Sequence, residues 1–484
     1  SDRAIPRSLR FMEGFGVHTF RLLNDRDEAT FVKFHWKPAL GLQSTLWDEA
    51  AKLQGADNDF HRRDLYESID KGDYPAWDLG VQIISEEEAG TLPFDILDPT
   101  KLVPEELFPV EIVGTMTLNR NPANFFAETE QVAFLPSNVP PGVDFSDDPL
   151  LQGRLFSYLD TQLSRLGTPN WHQLPINQPK GCPMHNFQRD GQMQHNIPAG
   201  RANYEPNSLA RAGEPAGPRA DPSGFRSGPM VASGEKRRIR SETFADHYSQ
   251  ARLFYRSQSE TEQNHIAGAL IFELSKVTLP HVREAVLANM GNVDEGLAKT
   301  VADGLGVNLP EPSTLAAAVQ DLAPSPALRI IGKYPETLRG RCVAILVGDG
   351  SDAAAVSGLK QVAEKAGATV KIVAEKIAGA KLSDGSLLPA DAKLEGAPSV
   401  LFDAVAAVLS AAAVERLMSN PAADAWFRDA FVHLKAISAT SEVKPLLEKA
   451  GVKHDERVLS LPIDQSAFVK LAAGRQWDRE LPPV

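Results

Sequence analysis

Gly-Arg-Leu-Phe-Ser-Tyr-Leu-Asp-Thr-Gln-Leu-Ser-Arg-Leu, residues 153–166, is the stretch from which the organisation of this chain can be worked out. It places Arg154 and Tyr158 four residues apart, a separation that puts two side chains on one face of a helix. A phenol is neutral at working pH, and a neighbouring cation or a coordinated ferric iron favours its anionic form. The pair is what an iron–phenolate site would need, although taken alone such a pair more often marks a surface tyrosine at a helix start.

The residues around this pair favour the iron site. Arg-Leu-Phe-Ser-Tyr-Leu-Asp-Thr-Gln, residues 154–162, closely resembles the proximal haem-ligand signature of the monofunctional haem catalases. Tyrosine is the established axial ligand of catalase haem, so the resemblance assigns this role to Tyr158 and makes it the ligand of the iron. Arg154 is then the group that keeps the tyrosine oxygen anionic. Arg165 matches a family position that contacts a haem propionate, where a guanidinium suits a carboxylate.

Composition excludes several other classes of protein. The 484 residues carry 50 basic and 63 acidic side chains, a net charge of −13, which argues against nucleic acid or an anionic membrane as partner. The two cysteines, Cys182 and Cys342, are too few for a disulfide framework and are interpreted as reduced thiols of a cytoplasmic protein. No apolar run reaches the length of a membrane span. The chain starts without a signal peptide and without methionine, which suggests a processed or truncated polypeptide.

Alternating polar and apolar residues predict strands in the first 118 residues, starting near 17, 29, 77 and 110, with helical spacing over 46–70. Gly-Val-His-Thr-Phe, residues 16–20, resembles a catalase segment whose histidine hydrogen-bonds the arginine partner of the haem tyrosine. By this resemblance His18, Arg154 and Tyr158 form a proximal relay. The polar cluster at 119–128 resembles a motif that follows the last strand of the catalase β-barrel.

Pro, Gly, Asn, Gln and Arg dominate residues 169–240, which considered alone predict a linker or a wrapping arm. The segments at 182–191 and 202–208 resemble the arm that wraps between catalase subunits, which implies a homotetramer. Cys182 and His185 are metal-ligand types, but without a second pair they are a weak zinc signal. Some large catalases join a histidine covalently to the haem tyrosine. By spacing its equivalent here is Leu135, which predicts no such crosslink.

The second half of the chain combines helices with a parallel sheet. Apolar periodicity predicts helices over 244–307, followed by a Pro-rich linker at 310–326. Strands at 343–347, 369–374, 400–408 and 435–439 alternate with helices, which predicts a flavodoxin-like α/β domain. Such domains resemble the glutamine amidotransferase fold, whose nucleophile is a cysteine on a strand-to-helix turn. The corresponding turn at 437–440 has no cysteine, so the domain is interpreted as non-catalytic, with a Ser438 hydrolase as the alternative.

The distal half of a catalase site is absent from this sequence. Catalases place a histidine, in a Val-His-Ala-Arg-Gly-like segment, and an asparagine above the haem, where the histidine moves a proton between the peroxide oxygens. None of the eleven histidines has that context. In the family these residues precede the segment that matches Ser1. The first half is therefore expected on another chain, or outside an incomplete sequence.

The sequence as a whole predicts an α+β protein: the second half of the catalase antiparallel β-barrel, a wrapping arm, a helical domain and a flavodoxin-like α/β domain. The predicted function is the disproportionation of hydrogen peroxide by a tyrosinate-ligated b- or d-type haem iron. The alternative is a catalytically silent haem-binding or assembly fragment. The predicted domains are 1–135 (second half of the barrel), 136–240 (haem-ligand helix and arm), 241–310 (helical domain), 311–338 (linker) and 339–484 (α/β domain).

Overall fold

The computed structural model describes residues 1–180, 190–197, 225–230, 234–235, 237–239 and 242–480. The chain divides into two compact units, each of which is discontinuous in sequence. Unit 1 comprises Ser1–Glu13, Lys37–Trp77 and Tyr248–Val484. Unit 2 comprises Gly14–Trp36 and Asp78–His247. Among the described residues, no helix is both long and apolar enough to cross a membrane.

Strands and helices occur in both units and are numbered here in chain order. The strands are β1 (Gly14–Phe15), β2 (Phe20–Leu23), β3 (Ala29–Pro38), β4 (Ala76–Ile84), β5 (Glu111–Thr117), β6 (Val143–Phe145), β7 (Cys342–Val347), β8 (Thr369–Ala374), β9 (Ala380–Lys381), β10 (Leu387–Leu388), β11 (Ala392–Lys393), β12 (Ala404–Val408), β13 (Ile437–Ala439) and β14 (Val458–Ser460). The α-helices are α1 (Trp47–Ala56), α2 (Phe60–Asp70), α3 (Glu86–Thr91), α4 (Pro149–Leu166), α5 (Ser249–Ser257), α6 (Glu260–Ser275), α7 (Pro280–Val293), α8 (Glu295–Leu305), α9 (Ala353–Lys365), α10 (Ala411–Leu417), α11 (Pro421–Val432), α12 (Lys444–Lys449) and α13 (Gln465–Leu471).

The sheet of unit 2 has the strand order β5-β4-β3-β2-β6, and β1 also pairs with β3. Strand β2 is antiparallel to both β3 and β6. The predicted strands at 29, 77 and 110 are confirmed. The prediction for the first strand was wrong at its start, because β2 begins at Phe20 rather than Val17. The preceding Thr19 is instead held by side chains: its carbonyl accepts from the Ser146 hydroxyl, and its own hydroxyl donates to the Ile96 carbonyl.

Residues 46–70 form two helices instead of one continuous helical stretch. The break lies at Asp57-Asn58-Asp59, between α1 and α2. The Asp57 carboxylate accepts a hydrogen bond from the Asp59 amide at 3.1 Å, a local turn that competes with helix hydrogen bonding. The helices predicted over 244–307 are confirmed as α5 to α8. Their apolar faces meet around Leu287, Ala298 and Val301, each of which is completely buried.

The α/β part of unit 1 is built on a parallel sheet, as predicted, with the order β11-β8-β7-β12-β13-β14. The predicted strand at 400–408 was too long, because a tight helical turn spans Ser399–Leu401 and β12 starts only at Ala404. The Lys435 ammonium donates to the carbonyls of Ser399 (2.8 Å) and Phe402 (2.6 Å), so neither carbonyl needs a strand partner. Lys435 itself lies before β13, which begins at Ile437.

The carboxyl edge of this sheet is occupied by the chain itself. In open α/β sheets, ligands usually bind at this edge, where the strand order reverses. Here that position lies between β7 and β12. The turn after β7 is bonded to the hairpin of β9 and β10: the Lys381 amide donates to Asp349, the Gly350 amide donates to the Lys381 carbonyl, and the Ala353 amide donates to Ser383. Ser438, the alternative nucleophile, is fully buried within β13 and donates to the Leu459 carbonyl. Its position gives the predicted hydrolase alternative no support.

His265 joins three distant segments of unit 1. Its Nδ1 lies 2.8 Å from the Asp2 carboxylate and its Nε2 lies 2.9 Å from Glu480. Burial alone would lower the pKa of His265, but the hydrogen bonds to the two carboxylates outweigh it and raise the pKa from 6.5 to about 9. The imidazolium therefore links α6 to segments near both ends of the described chain.

We expect the stability of unit 1 to fall in alkali because of this histidine. A folded-state pKa above the unfolded value adds stability that is fully present below pH 6.5 and is lost as pH rises through about 9. His265→Gln should lose less stability than the parent chain between pH 6.5 and 9.5. The measurement is the change, across that pH range, in the free energy of unfolding by urea. His281→Gln on α7 is the control, and an equal effect of both substitutions would contradict the assignment.

Candidate functional site

Helix α4 of unit 2 carries the predicted site, and its sequence sets both of its ends. The Asp148 carboxylate accepts hydrogen bonds from the amides of Leu150 (2.9 Å) and Leu151 (3.0 Å), and Pro149 occupies the first helical position. This is the strongest kind of helix start, since it satisfies amides that have no partner inside the helix. The helix ends at Gly167, which adopts the left-handed conformation (φ 70°) that favours glycine.

Arg154 and Tyr158 lie on one face of α4, as the sequence predicts. The Arg154 Nη2 atom donates to the Tyr158 Oη atom at 2.8 Å, and its guanidinium carbon lies 4.6 Å from the ring centroid. Both side chains are half-buried. A charge-assisted donor at this distance stabilises negative charge on the phenol oxygen, which is the property required of an anionic oxygen ligand.

His18 is buried, with 3% of its surface exposed, and its partner differs from the expected one. Its Nδ1 atom lies 2.6 Å from Asp148 Oδ2. Among the described residues, no hydrogen bond joins His18 to Arg154. The predicted relay, in which His18 contacts Arg154 directly, is therefore corrected. Asp148 connects His18 to the helix, because its carboxylate both caps α4 and forms a hydrogen bond with His18. The histidine is thereby tied to the start of the helix that carries Arg154 and Tyr158.

Two residues at this site were missed by the sequence analysis. Asp148 could have been found, because an aspartate directly before Pro149 is a recognised helix-start pattern. Lys33 gives no such signal. It is buried on β3, and its ammonium donates to the Val17 carbonyl (3.1 Å) and to the Thr19 hydroxyl (3.3 Å), on either side of His18. Burial lowers the pKa of Lys33 to about 8, although Asp148 and Asp98 partly oppose the shift.

Tyr158 forms part of the wall of an open cavity of about 810 Å³. Half of its neighbours in the wall are apolar, and two of these, Phe126 and Phe134, are mostly exposed. Arg165 also lines this cavity. Its Nη1 donates to the Glu130 carbonyl at 2.6 Å, and its Nη2 donates to the Val132 carbonyl and to Gln162. A wide depression that combines apolar side chains, a phenol bonded to an arginine, and a second arginine suits a flat apolar ring with carboxylate substituents.

These residues fit a haem by their chemistry. A phenol oxygen with an arginine donor would serve as a hard anionic ligand for ferric iron, the apolar part of the wall suits the ring, and the guanidinium suits a propionate. Leu135, the predicted counterpart of the crosslinked histidine, is an aliphatic residue that lies half-buried beside the cavity wall at Phe134. The weak zinc candidates Cys182 and His185 lie outside the described residues, as does most of the predicted arm.

We expect Asp148→Ala to destabilise α4 by about 2–4 kcal/mol, since it removes a helix cap (about 1 kcal/mol) and leaves buried His18 without an acceptor (about 1–3 kcal/mol). Asp148→Asn keeps a capping oxygen and should cost less. Hydrogen exchange of the α4 amides in the native state measures the local opening free energy. Asp160→Ala, exposed on the same helix, is the control. Equal protection in Asp148→Ala and Asp160→Ala would show that Asp148 does not hold the helix start.

Comparisons with known proteins agree over almost the whole chain. Three family models match: Catalase over residues 1–211, Catalase-related immune-responsive over 241–305, and the C-terminal domain found in long catalases over 339–476. Catalase C of Rhizobium meliloti is 53% identical over 488 residues, which cover 99% of this chain and 68% of the relative. Catalase HPII of Pseudomonas putida is 50% identical, with 99% and 68% covered. Catalase-2 of Bacillus subtilis is 46% identical, with 99% and 70% covered. The chain therefore belongs to the catalase family, in its large-subunit branch, and is a haem catalase whose reaction converts hydrogen peroxide into water and dioxygen.

Proposed function

We propose that Tyr158 is the axial ligand of the haem iron, and that Arg154 is the residue that keeps its oxygen anionic. The observation that carries this proposal is the 2.8 Å hydrogen bond from Arg154 to Tyr158 Oη in the wall of an 810 Å³ cavity. Arg165, in the same wall, is proposed to receive a propionate. To bind the propionate, Arg165 would give up some of its hydrogen bonds to the Glu130 and Val132 carbonyls, which lie at the end of a helical turn.

The contribution of this chain to the reaction is electronic and positional. When bound, haem supplies the redox centre at which hydrogen peroxide is both reduced and oxidised. Arg154 holds a proton donor against the phenol oxygen, so that Tyr158 is a better electron donor toward a bound cation. Asp148 orients His18 and the start of α4 together, which sets the rotation of the helix. Phe126 and Phe134 add apolar surface to the cavity wall that contains the ligand oxygen.

Several finer assignments accompany this proposal. The cofactor is a b- or d-type haem. Residues 169–240 form an intersubunit arm of a homotetramer, and the protein works in the cytoplasm, which is supported by the free thiol of Cys342. Unit 2 supplies the second half of an antiparallel barrel. The five longer strands of the α/β sheet, in the order β8-β7-β12-β13-β14, support a flavodoxin-like description. The five predicted domains are kept, since family-model matches begin at 241 and 339.

A silent haem-binding or assembly module is the second candidate for the 484-residue chain acting by itself. The observation that favours it is the composition of the cavity wall: none of the described residues lining it is a histidine. Proton transfer between peroxide oxygens needs a base within hydrogen-bond reach. In this candidate, the base comes from the preceding part of a longer catalase or from a separate polypeptide.

Reconstitution with haem separates the two candidates. The purified 484-residue chain is mixed with haemin, freed of excess by gel filtration, and examined by visible absorbance and with an oxygen electrode in the presence of peroxide. A tyrosinate-type spectrum with dioxygen release supports the complete reaction on this chain. The same spectrum without dioxygen release supports the assembly module. The ligand assignment would be overturned if a longer polypeptide, which also contains the residues that precede this segment in long catalases, failed to retain haem stoichiometrically.

A further inference from the structure

A second cavity, of about 220 Å³, lies in unit 1 at the amino edge of the parallel sheet. Arg341 precedes β7, and Thr369 opens β8, so both lie where these strands begin. This is the opposite edge from the one at which open α/β sheets usually bind ligands. All of the lining residues belong to unit 1, and the cavity is independent of the proposed haem site. Its wall is Arg7, Arg10, Asp57, Phe60, Arg63, Asp64, Glu67, Ser68, Lys71, Asp73, Gly340, Arg341, Cys342, Thr369, Lys371, Leu401 and Phe402.

Three of the four arginines in this wall already have carboxylate partners, and one of these three, the exposed Arg63, donates to Asp57 at 2.9 Å. Arg7 donates to both oxygens of Asp403, at 2.6 and 2.7 Å. Arg10 donates to both oxygens of Asp64, at 2.8 Å each. These bidentate pairs compensate their charges and fix the positions of the two guanidinium groups. They also hold the wall in place whether or not anything enters the cavity.

Arg341 is the exception. Only 6% of its surface is exposed, and among the described residues its side chain makes one hydrogen bond, from Nη2 to the neutral side-chain oxygen of Gln43. Within the described residues, no carboxylate lies within 4.0 Å of its guanidinium. Its Nε atom and the Nη1 atom of Arg7 are both buried without an acceptor. Burial lowers the pKa of Arg341 to about 10. The charge of Asp403 opposes this shift, and the nearby cations Arg475 and Arg7 add to it.

A buried guanidinium whose N–H donors lack acceptors is costly, and a bound anion that accepts from those donors removes the cost. We propose that this cavity binds a small tetrahedral oxyanion of the phosphate class, with Arg341 as the main ligand and Arg7 as the second. Guanidinium groups match oxyanions through paired N–H donors, and Thr369 and Lys371 line the same space. Phe60, Leu401 and Phe402 form an apolar wall beside them, which leaves room for the small organic group of a phosphomonoester.

Equilibrium dialysis of the full chain against radiolabelled inorganic phosphate, at constant ionic strength set with chloride, tests this site. We expect one phosphate per chain, and a thermal unfolding midpoint that rises with phosphate concentration. Arg341→Gln should weaken phosphate binding by at least about tenfold, the scale of losing hydrogen bonds to a charged group. Arg339→Gln, an exposed arginine in the same segment and outside the wall, should leave binding unchanged.

Equilibrium dialysis against glycerol phosphate distinguishes a phosphorylated small molecule from free phosphate as the ligand of this site. Tighter binding of the ester than of inorganic phosphate would identify a phosphorylated small molecule, and the reverse would identify the free ion. If Arg341→Gln does not fold, Lys371→Gln and Arg341→Lys serve instead, and each should weaken binding while retaining the fold. The proposal is overturned if the parent chain binds no phosphate at millimolar concentration, or if Arg341 and Arg339 variants bind it equally well.

Discussion

Tyr158→Phe should remove the axial ligand and leave the fold intact. The substitution deletes the hydroxyl of a half-buried side chain, and among the described residues the only hydrogen bond of that hydroxyl comes from Arg154. We expect the tyrosinate-type absorbance to disappear and peroxide turnover, measured on the haem-loaded catalase that contains this segment, to fall by more than about a hundredfold. Loss of an outer-shell partner of a metal ligand already costs 10- to 100-fold, and loss of the ligand itself costs more.

Tyr74→Phe is the matched control, because it removes the same hydroxyl from an exposed tyrosine of unit 1. It should change neither absorbance nor turnover. Arg154→Gln should lie between the two: haem is retained, but its absorbance shifts because the tyrosine oxygen loses its cationic donor. Parent-like absorbance and turnover in Tyr158→Phe would show that another residue ligates the iron.

Glu49→Gln should cause the largest loss of stability in unit 1, about 3–5 kcal/mol, because breaking a buried ion pair leaves uncompensated charge behind. The Glu49 carboxylate, on α1, is 2% exposed and lies 2.7 Å from the Lys435 ammonium and 2.8 Å from Arg475. The amide of glutamine could accept from only one of the two cations. Urea unfolding followed by the fluorescence of Trp426, which is buried in the α/β core, measures the effect.

The same carboxylate should make unit 1 sensitive to acid. Burial alone would raise the pKa of Glu49, but Arg475 and Lys435 outweigh it and lower the pKa from 4.5 to about 2. Its contribution is therefore fully present above pH 4.5 and is lost as pH falls toward 2, and Glu49→Gln should be less pH-dependent in that window. Glu67→Gln, which breaks an exposed pair with Lys71, should cost less than about 1 kcal/mol. Equal losses in both variants would contradict the buried role of Glu49.

The local part of the site could be predicted from the sequence, and the long-range part could not. Arg154 and Tyr158 are four residues apart on one helix, so helix geometry alone brings them together. His18 and Asp148 are 130 residues apart, and only the folded sheet brings them within 2.6 Å. The family resemblance predicted Arg154 as the partner of His18, whereas the structure pairs His18 with Asp148. Lys33 was missed because a lysine in an alternating strand normally faces solvent.

The fold shows the same division between local and tertiary causes. The alternation of apolar strands and helices predicted the parallel sheet of unit 1, because that pattern depends on neighbouring residues. The start of β12 was placed too early, because Lys435, more than 30 residues later in the chain, takes the carbonyls of Ser399 and Phe402. The cavity at Arg341 could not be predicted from the sequence either, because its wall is formed by segments that lie far apart in the sequence.

The pairing of Arg7 with Asp403 has a consequence for biosynthesis. The two residues are 396 positions apart, yet both guanidinium and carboxylate are buried in the folded unit. At 5–20 residues per second, a ribosome adds Asp403 roughly 20–80 s after Arg7. During that interval the segment around Arg7 has no native partner and remains open to chaperones and proteases. Unit 1 can therefore be completed only late in translation, so that premature termination within the α/β domain would leave the early segment unprotected.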